Sequence, residues 1–290
     1  MFDGFTQARI NTSGAKINLV HGGRGPALLL LHGYPQTHAM WHKIAGQLAK
    51  DFTVVCPDLR GYGDSSKPAT TPDHFPYSKR AMAQDMVEAM SALGHERFSV
   101  AGHDRGGRVA HRLVADHEKR VAKAAVLDIV PTHRIFASTD KAIASGYYHW
   151  FFLIQPFDLP EHLIGADPDY YLKKKLDRWS AGAACFAPEA VAEYLRCFRD
   201  PATIHASCED YRAAASIDLA HDEADMANRP ATPLLVLWGE KGLMERHFDV
   251  LATWRERFRE VQGMALDCGH FLPEEKPEET YRALHAFLKG

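Results

Sequence analysis

The sequence predicts an α/β fold, in which a mostly parallel central sheet is flanked by helices and a helical cap is inserted late in the chain. Short aliphatic runs followed by turn or polar residues are typical of buried strands. Helix-compatible stretches separate these runs, and such alternation of strands and helices is typical of parallel sheets. The predicted strands are residues 27–31, 52–56, 98–101, 124–127 and 234–238.

The predicted helices fit the same pattern. His38–Ala49 and Lys79–Leu93 each connect two successive predicted strands, and Glu278–Leu288 follows the last one. Parallel neighbours in a sheet require crossover connections of this kind.

A long segment without any strand-like run separates the fourth and fifth predicted strands. Residues 132–220 contain many aromatic residues among helix formers. Because a structureless loop of this length is improbable in a compact domain, we expect a helical cap over the C-terminal edge of the sheet. The predicted organisation is therefore a core of residues 1–131 and 221–290 and a cap of residues 132–220, with a ligand site between them.

The composition indicates a globular protein without a nucleic-acid or membrane partner. Of its 290 residues, 46% are hydrophobic and 24% charged, and the net charge is −3. Basic residues form no cluster that would attract nucleic acid or an anionic membrane. No run approaches the ~18 apolar residues of a membrane span, and the N-terminus lacks the apolar segment of a signal peptide.

The five cysteines are odd in number and form no Cys-x-x-Cys pair, which argues against disulfides and zinc knuckles and favours a cytoplasmic location. No His-Glu-x-x-His motif and no phosphate-binding glycine loop is present where one would function. We therefore expect no metal ion and no cofactor, with water as the only co-substrate.

The strongest chemical motif follows the third predicted strand. Residues 102–106 read Gly-His-Asp-Arg-Gly, a strand-to-helix turn that projects its central residue, Asp104, from the sheet edge. The helix N-terminus behind it favours an anion, so Asp104 is predicted to be an ionised nucleophile. The alternative is that Asp104 only caps the helix.

Two further motifs favour the nucleophile. His-Gly-Tyr-Pro at residues 32–35 follows the first predicted strand, and the backbone amides of Tyr34 and Arg105 are predicted to form an oxyanion hole. His270 lies near the C-terminus, where this chain order of nucleophile, acid and histidine places the general base. The chain has 17 histidines, so His270 is selected only because its companions exist.

The acid that would orient His270 has two candidates by chain order. Asp128 ends the fourth predicted strand, and Glu240 follows the fifth. Chain order admits both, and we favour Asp128; each could instead be a surface or capping carboxylate.

These motifs are similar to those of the haloacetate and fluoroacetate dehalogenases, members of the α/β-hydrolase superfamily, over essentially the whole chain. The similar motifs are His-Asp-Arg-Gly-Gly-Arg at residues 103–108, His-Trp at 149–150 and Asp-Tyr-Arg at 210–212. The resemblance implies the α/β-hydrolase fold, a homodimer and a small haloacid substrate. It also implies roles for individual residues: Asp104 as nucleophile with Asp128 and His270 as partners, Arg105 and Arg108 as a carboxylate clamp, and His149, Trp150 and Tyr211 as a halide pocket.

An aspartate nucleophile itself restricts the reaction. Attack on an ester or amide would give a labile anhydride, whereas attack on a saturated carbon gives a hydrolysable ester. We therefore expect displacement of halide by Asp104 and then hydrolysis of the ester by water that His270 activates. Arg105 and Arg108 suit an anionic substrate because a guanidinium binds a carboxylate through two parallel hydrogen bonds.

Two alternatives stay open from the sequence. An epoxide hydrolase would share the aspartate nucleophile, the histidine and the cap, and would use tyrosines such as Tyr147, Tyr148 or Tyr211 as acids; Arg105 argues against it. A catalytically silent scaffold that binds a small ligand is the other alternative, and the pair of Asp104 and His270 argues against it.

Overall fold

The computed structural model describes residues 1–182 and 184–290. Its centre is an eight-stranded sheet in the order β1-β2-β4-β3-β5-β6-β7-β8. The first two strands pair antiparallel, as do β2 and β4, and all other neighbours are parallel. The strands are β1 (Thr6–Asn11), β2 (Lys16–Gly23), β3 (Ala27–Leu31), β4 (Thr53–Pro57), β5 (Phe98–His103), β6 (Val121–Leu127), β7 (Leu234–Gly239) and β8 (Val261–Leu266).

The central strands are buried on both faces. Every residue of β3 and of β7 is buried, as expected for parallel strands covered by helices on both sides. The predicted fold class is therefore confirmed, and all five predicted strands are present. Three further strands, β1, β2 and β8, were not predicted. β1 and β8 are the edge strands of the sheet, and most of their residues are not buried, so neither has the continuous aliphatic run of a central strand.

Helices of the core connect these strands or follow the last of them. They are α1 (His42–Leu48), α2 (Lys79–Ala92), α3 (Arg105–His117), α12 (Leu243–His247), α13 (Val250–Arg255), α14 (Leu272–Glu275) and α15 (Pro277–Lys289). Ser78 caps α2 by accepting a hydrogen bond from the Ala81 amide, as is common at helix N-termini.

The chain between β6 and β7 forms a series of short helices. Asp140, Asp167 and Asp200 cap three of them with their carboxylates, and proline occupies the first turn of several, which explains why the segment divides at these points. The helices are α4 (Thr132–Ala137), α5 (Lys141–Gly146), α6 (Tyr148–Leu153), α7 (Leu159–Ala166), α8 (Pro168–Trp179), α9 (Pro188–Phe198), α10 (Pro201–Ala214) and α11 (Ile217–Ala224).

The order of the strands creates a switch point near the centre of the sheet, at the carboxyl ends of β3 and β5. The chain goes from β3 to β4 on one side and then returns to β5 on the other side of β3, so β3 and β5 are neighbours whose connections leave in opposite directions. Ligands of open α/β sheets bind at the carboxyl ends of such strands. Residues that follow β3, β5, β6 and β7 meet there. Among the described residues, no helix combines the length and the apolar composition needed to cross a bilayer.

Candidate active site

Asp104 occupies a strained turn between β5 and α3. Its φ is 47° and its ψ is −115°, a backbone conformation that residues other than glycine rarely adopt. The neighbouring glycines make the turn possible: a Cβ atom on Gly102 would lie 2.3 Å from the Gly106 carbonyl oxygen, and one on Gly106 would lie 2.4 Å from that of His32. The sequence motif therefore has a steric reason.

The carboxylate of Asp104 is buried and held by the loop after β3. Its Oδ1 accepts a hydrogen bond of 2.9 Å from the Tyr34 amide. A Cβ atom on Gly33 would lie 2.5 Å from that of Asp104, so the loop approaches this closely only because residue 33 is glycine. Arg105 opens α3, where an amide has no acceptor within its own helix. Both predicted amides thus lie beside Asp104.

Asp104 is ionised despite its burial. Burial raises the pKa of a carboxyl group, but here electrostatic interactions with His270, His103 and Arg105 outweigh it and lower the pKa of Asp104 below its ordinary value. A carboxylate that remains charged and has one oxygen free of backbone contacts can act as a nucleophile.

His270 lies between Asp104 and a second aspartate. Its Nδ1 is 2.6 Å from Asp128 Oδ2, and its Nε2 is 4.0 Å from Asp104 Oδ2. Asp128 follows β6 with φ 55°, and its Oδ1 accepts a hydrogen bond of 2.9 Å from the Gly239 amide. Of the two candidate acids, Asp128 contacts His270, whereas Glu240 is exposed.

The partners of His270 also change its titration. Burial lowers the pKa of a histidine, but the hydrogen bond and charge of Asp128, followed by the charge of Asp104, outweigh burial and raise the pKa of His270. The imidazole of His270 is thus a stronger base than an ordinary histidine, because it lies between two carboxylates.

Arg105 is largely committed to another side chain. Its Nε and Nη2 donate to the two carboxylate oxygens of Asp210 at 2.9 and 2.6 Å, and its guanidinium lies 4.1 Å from the ring centre of Tyr211. Lys79 and Tyr62 bind the same carboxylate. Within the part of the chain that the structure describes, Nη1 is the one nitrogen of the Arg105 guanidinium that is buried without a partner.

Arg108 has more hydrogen-bonding capacity to offer. Its Nη1 donates to the carbonyl of Val130 and to Thr132 Oγ1, both at 3.0 Å, and its guanidinium lies 4.5 Å from the ring centre of Trp150. Among the described residues no carboxylate forms an ion pair with it, and its buried Nε and Nη2 have no partner. Burial, aided by repulsion from Arg105, lowers the pKa of Arg108. The structure therefore separates the two arginines, since among the described residues Arg108 keeps two guanidinium nitrogens without a partner, Nε and Nη2, whereas Arg105 keeps only Nη1.

His149, Trp150 and Tyr211 form a buried cluster. The ring centres of Trp150 and Tyr211 are 5.8 Å apart, and those of His149 and Tyr211 are 5.5 Å apart. The indole N–H, the Tyr211 hydroxyl and His149 Nδ1 all lack hydrogen-bond partners within the described residues. Burial raises the pKa of Tyr211 well above 10, and burial with the nearby charge of Lys175 lowers the pKa of His149 well below 6.5, so both side chains are neutral.

A cavity of about 200 Å³ is lined by Asp104, Asp128, His149 and His270, and also by Trp179, to which the sequence analysis gave no role. The ring centre of Trp179 lies 4.6 Å from that of His149 and 5.4 Å from that of His270. Asp210 is not part of this lining, but its contact with Arg105 was also missed by sequence reasoning. The aromatic content of the insertion was the only signal for Trp179, and nothing in the spacing pointed to the contact of Asp210.

Comparisons with known proteins identify the family of the chain. The sequence profile of the α/β hydrolase fold matches residues 26–277. A fluoroacetate dehalogenase from a Burkholderia species is 48% identical over 289 residues, which cover 99% of this chain and 95% of that protein. A soluble epoxide hydrolase from a Corynebacterium species is 35% identical, and the match covers 94% of this chain and 92% of that protein.

A solved structure gives the same result at the level of the fold. An α/β hydrolase from Nostoc sp. PCC 7120 superposes with a TM-score of 0.99 at 64% identity, and the match covers 99% of each chain. The predicted resemblance to the fluoroacetate dehalogenases is thus confirmed, and the chain belongs to the α/β-hydrolase family.

Proposed function

We propose that the protein hydrolyses haloacetates, converting fluoroacetate or chloroacetate to glycolate and a halide ion. The observation that carries the proposal is a buried, ionised Asp104 close to a buried Arg108 whose Nε and Nη2 have no partner among the described residues. A nucleophile of this kind suits a saturated carbon, and the free edge of the guanidinium suits a carboxylate. A haloacetate carries both groups on two adjacent carbons.

In the first step, Arg108 binds the substrate carboxylate and Asp104 attacks the adjacent carbon. Asp104 Oδ1 is held by the Tyr34 amide, so Oδ2 is the oxygen available for attack. The new C–O bond forms as the carbon–halogen bond breaks, and the halide leaves with the bonding electron pair. A single displacement of this kind inverts a chiral carbon.

The departing halide needs stabilisation because fluoride is a poor leaving group. The Trp150 indole and the Tyr211 hydroxyl are neutral donors without partners, and His149 can add a third when Nδ1 carries its proton. Donors already in place stabilise charge that develops in the transition state without reorganising first.

In the second step, water hydrolyses the ester at Asp104. His270, oriented by the 2.6 Å contact with Asp128, takes a proton from a water molecule, whose oxygen attacks the ester carbonyl. Charge then develops on the former Oδ1, beside the amides of Tyr34 and Arg105. The bond between the former carboxyl carbon and the ester oxygen then breaks, and His270 returns its proton to that oxygen as glycolate leaves. The second proton of the water is released to solvent, and one oxygen of the Asp104 carboxylate now comes from water.

Epoxide hydrolysis is the second candidate. The Corynebacterium relative has this name, and in the present protein Tyr147 lines the cavity while the hydroxyl of Tyr211 has no partner. A tyrosine could protonate the oxygen of an opening epoxide. Arg108 favours the haloacetate, since a neutral epoxide leaves its charge unneutralised.

Halide release from fluoroacetate and chloroacetate, measured beside the opening of a panel of neutral epoxides, tests the proposal. Halide release by the parent protein, with none from Asp104→Asn or Arg108→Leu, is the expected result. Opening of epoxides alone would transfer the function to the second candidate. A single turnover in ¹⁸O-labelled water should place the label in Asp104; an unlabelled residue with every substrate would favour a silent binding scaffold.

We propose further, from the resemblance and from five free cysteines, that the protein is a cytoplasmic homodimer. Light scattering of the purified chain tests the assembly, and a monomer at all concentrations would contradict it.

A further inference from the structure

The entrance of the cavity is lined by basic side chains. Arg178 at the end of α8, Lys241 after β7 and Arg246 on α12 line the same cavity as Asp104 and His270. All three basic residues are exposed, whereas Asp104 and His270 are buried. The cavity therefore leads from the surface, between cap and core, to the nucleophile.

Two of these cations are not neutralised. Lys241 Nζ lies 2.6 Å from Asp267 Oδ1, but Arg246 donates only to the backbone carbonyl of Lys241, at 2.7 Å. Arg178 lies 5.7 Å from the ring centre of Tyr148. Among the described residues, no carboxylate forms an ion pair with Arg178 or Arg246.

The acidic residue nearest to Arg246 in the sequence is engaged elsewhere. Glu245 accepts a hydrogen bond of 2.5 Å from the indole of Trp238. The exposed charged residues that line the cavity are all basic, although the bottom of the cavity holds the two carboxylates Asp104 and Asp128. An anion that enters must overcome repulsion from these carboxylates, and fixed cations in a concave site raise the local anion concentration.

We propose that Arg178 and Arg246 form an anion-capture site, which binds the carboxylate of an incoming haloacid at the cavity entrance before it passes inward to Arg108. This inference rests on the proposed function for the identity of the anion. The two arginines do not contact the reacting atoms, so they contribute to substrate binding and to the preference for haloacids over neutral organohalides. Asp104 alone carries out the displacement.

Charge reversal measures this contribution. A unit charge about 10 Å from the substrate changes its binding about twofold in water-like surroundings, so reversing both arginines is expected to raise KM about tenfold at low salt. The variants are Arg178→Glu, Arg246→Glu and the double variant, with Arg178→Met to remove the charge but keep most of the stem. Arg9→Glu is the matched control, because Arg9 is exposed on β1, at the opposite edge of the sheet from β8.

The measurements are KM and kcat for chloroacetate across a range of salt concentrations. We expect the shift in the double variant to fall on KM, to disappear at high salt because ions screen exposed charges, and to be absent from Arg9→Glu. A KM equal to that of the control at low salt, or a shift that high salt leaves unchanged, would overturn the capture site.

A binding measurement separates this inference from the proposed function. Calorimetric titration of chloroacetate into the Asp104→Asn protein, with and without the two reversals, reports the same tenfold change without turnover. If the parent protein releases no halide but the reversals weaken binding in a salt-dependent way, the proposed function fails and the capture site stands. If halide is released and the reversals change neither KM nor the dissociation constant, only the capture site fails.

Discussion

Replacing Arg108 by leucine removes the guanidinium that we assign to the substrate carboxylate. The change deletes the two unpartnered groups, Nε and Nη2, and keeps an apolar side chain against the ring of Trp150. Each hydrogen bond between charged groups contributes about 1.5–3 kcal/mol, so losing two costs roughly 3–6 kcal/mol. At about 1.4 kcal/mol per factor of ten, kcat/KM for chloroacetate should fall about 10²- to 10⁴-fold.

Matched variants separate charge, geometry and folding. Arg108→Lys keeps a positive charge but not the planar fork, so we expect a smaller loss of about 10- to 10²-fold. Thr132→Val removes the hydroxyl that accepts from Nη1 and leaves the charge in place, so it measures the effect of positioning alone. Thermal unfolding of each variant establishes that it is folded before its kinetics are compared.

The assay is halide release from chloroacetate and from the neutral chloroacetamide. Arg108→Leu should lose activity on the acid while any activity on the amide is retained or raised, because only the acid requires the cation. Equal losses on the two substrates would mean that Arg108 supports the fold of the site and does not bind the carboxylate. Retention of kcat/KM for the acid within about threefold would refute the assignment outright.

Four other outcomes follow from the same geometry. Because the base must be neutral and Asp128 raises the pKa of His270, kcat should fall as pH drops through that raised pKa. Asp128→Asn should lower the pKa of His270 and shift the acidic limb of the pH–kcat profile to lower pH. An acidic limb that does not shift would contradict the pairing of His270 with Asp128. His270→Ala should complete the first step only and accumulate a carboxymethyl adduct on the nucleophile, seen by mass spectrometry; an unmodified protein with every haloacid would refute the covalent route. Trp150→Phe and Tyr211→Phe should each slow fluoride release about tenfold or more, and chloride release less, since fluoride depends more on donors; equal effects on both halides would argue against halide contact. Asp210→Asn frees the guanidinium of the neighbouring arginine, so we expect a loss of kcat from partial neutralisation of the nucleophile; an increase in activity would show that the ion pair instead withholds a useful cation from the substrate.

Much of the fold and site was predictable because it depends on local sequence. Aliphatic runs bury on both faces wherever helices cover a parallel sheet, and the predicted strand at residues 27–31 coincides with β3. Gly102 and Gly106 are required because a Cβ atom at either position would collide with backbone atoms of the turn or of the loop beside it. The position of Asp104 therefore follows from the motif itself. Edge strands such as β1 were missed because pairing on one side only leaves polar residues on the other face.

Contacts between distant segments needed the tertiary structure. Asp128 and Glu240 both follow strands, and the register that pairs Leu127 with Leu237 decides which carboxylate reaches His270. The different environments of the two arginines also follow from packing, since Asp210 on α10 forms an ion pair with Arg105 and not with Arg108.

The sequence by itself therefore determined the turn that carries Asp104 and the class of fold, because these depend on steric and hydrophobic constraints between near neighbours in the chain. Only the tertiary structure decided which acid contacts His270, which guanidinium is free of carboxylates and which cations line the entrance. Those properties depend on distances and burial between segments about a hundred residues apart, such as Arg105 and Asp210, which no local pattern encodes.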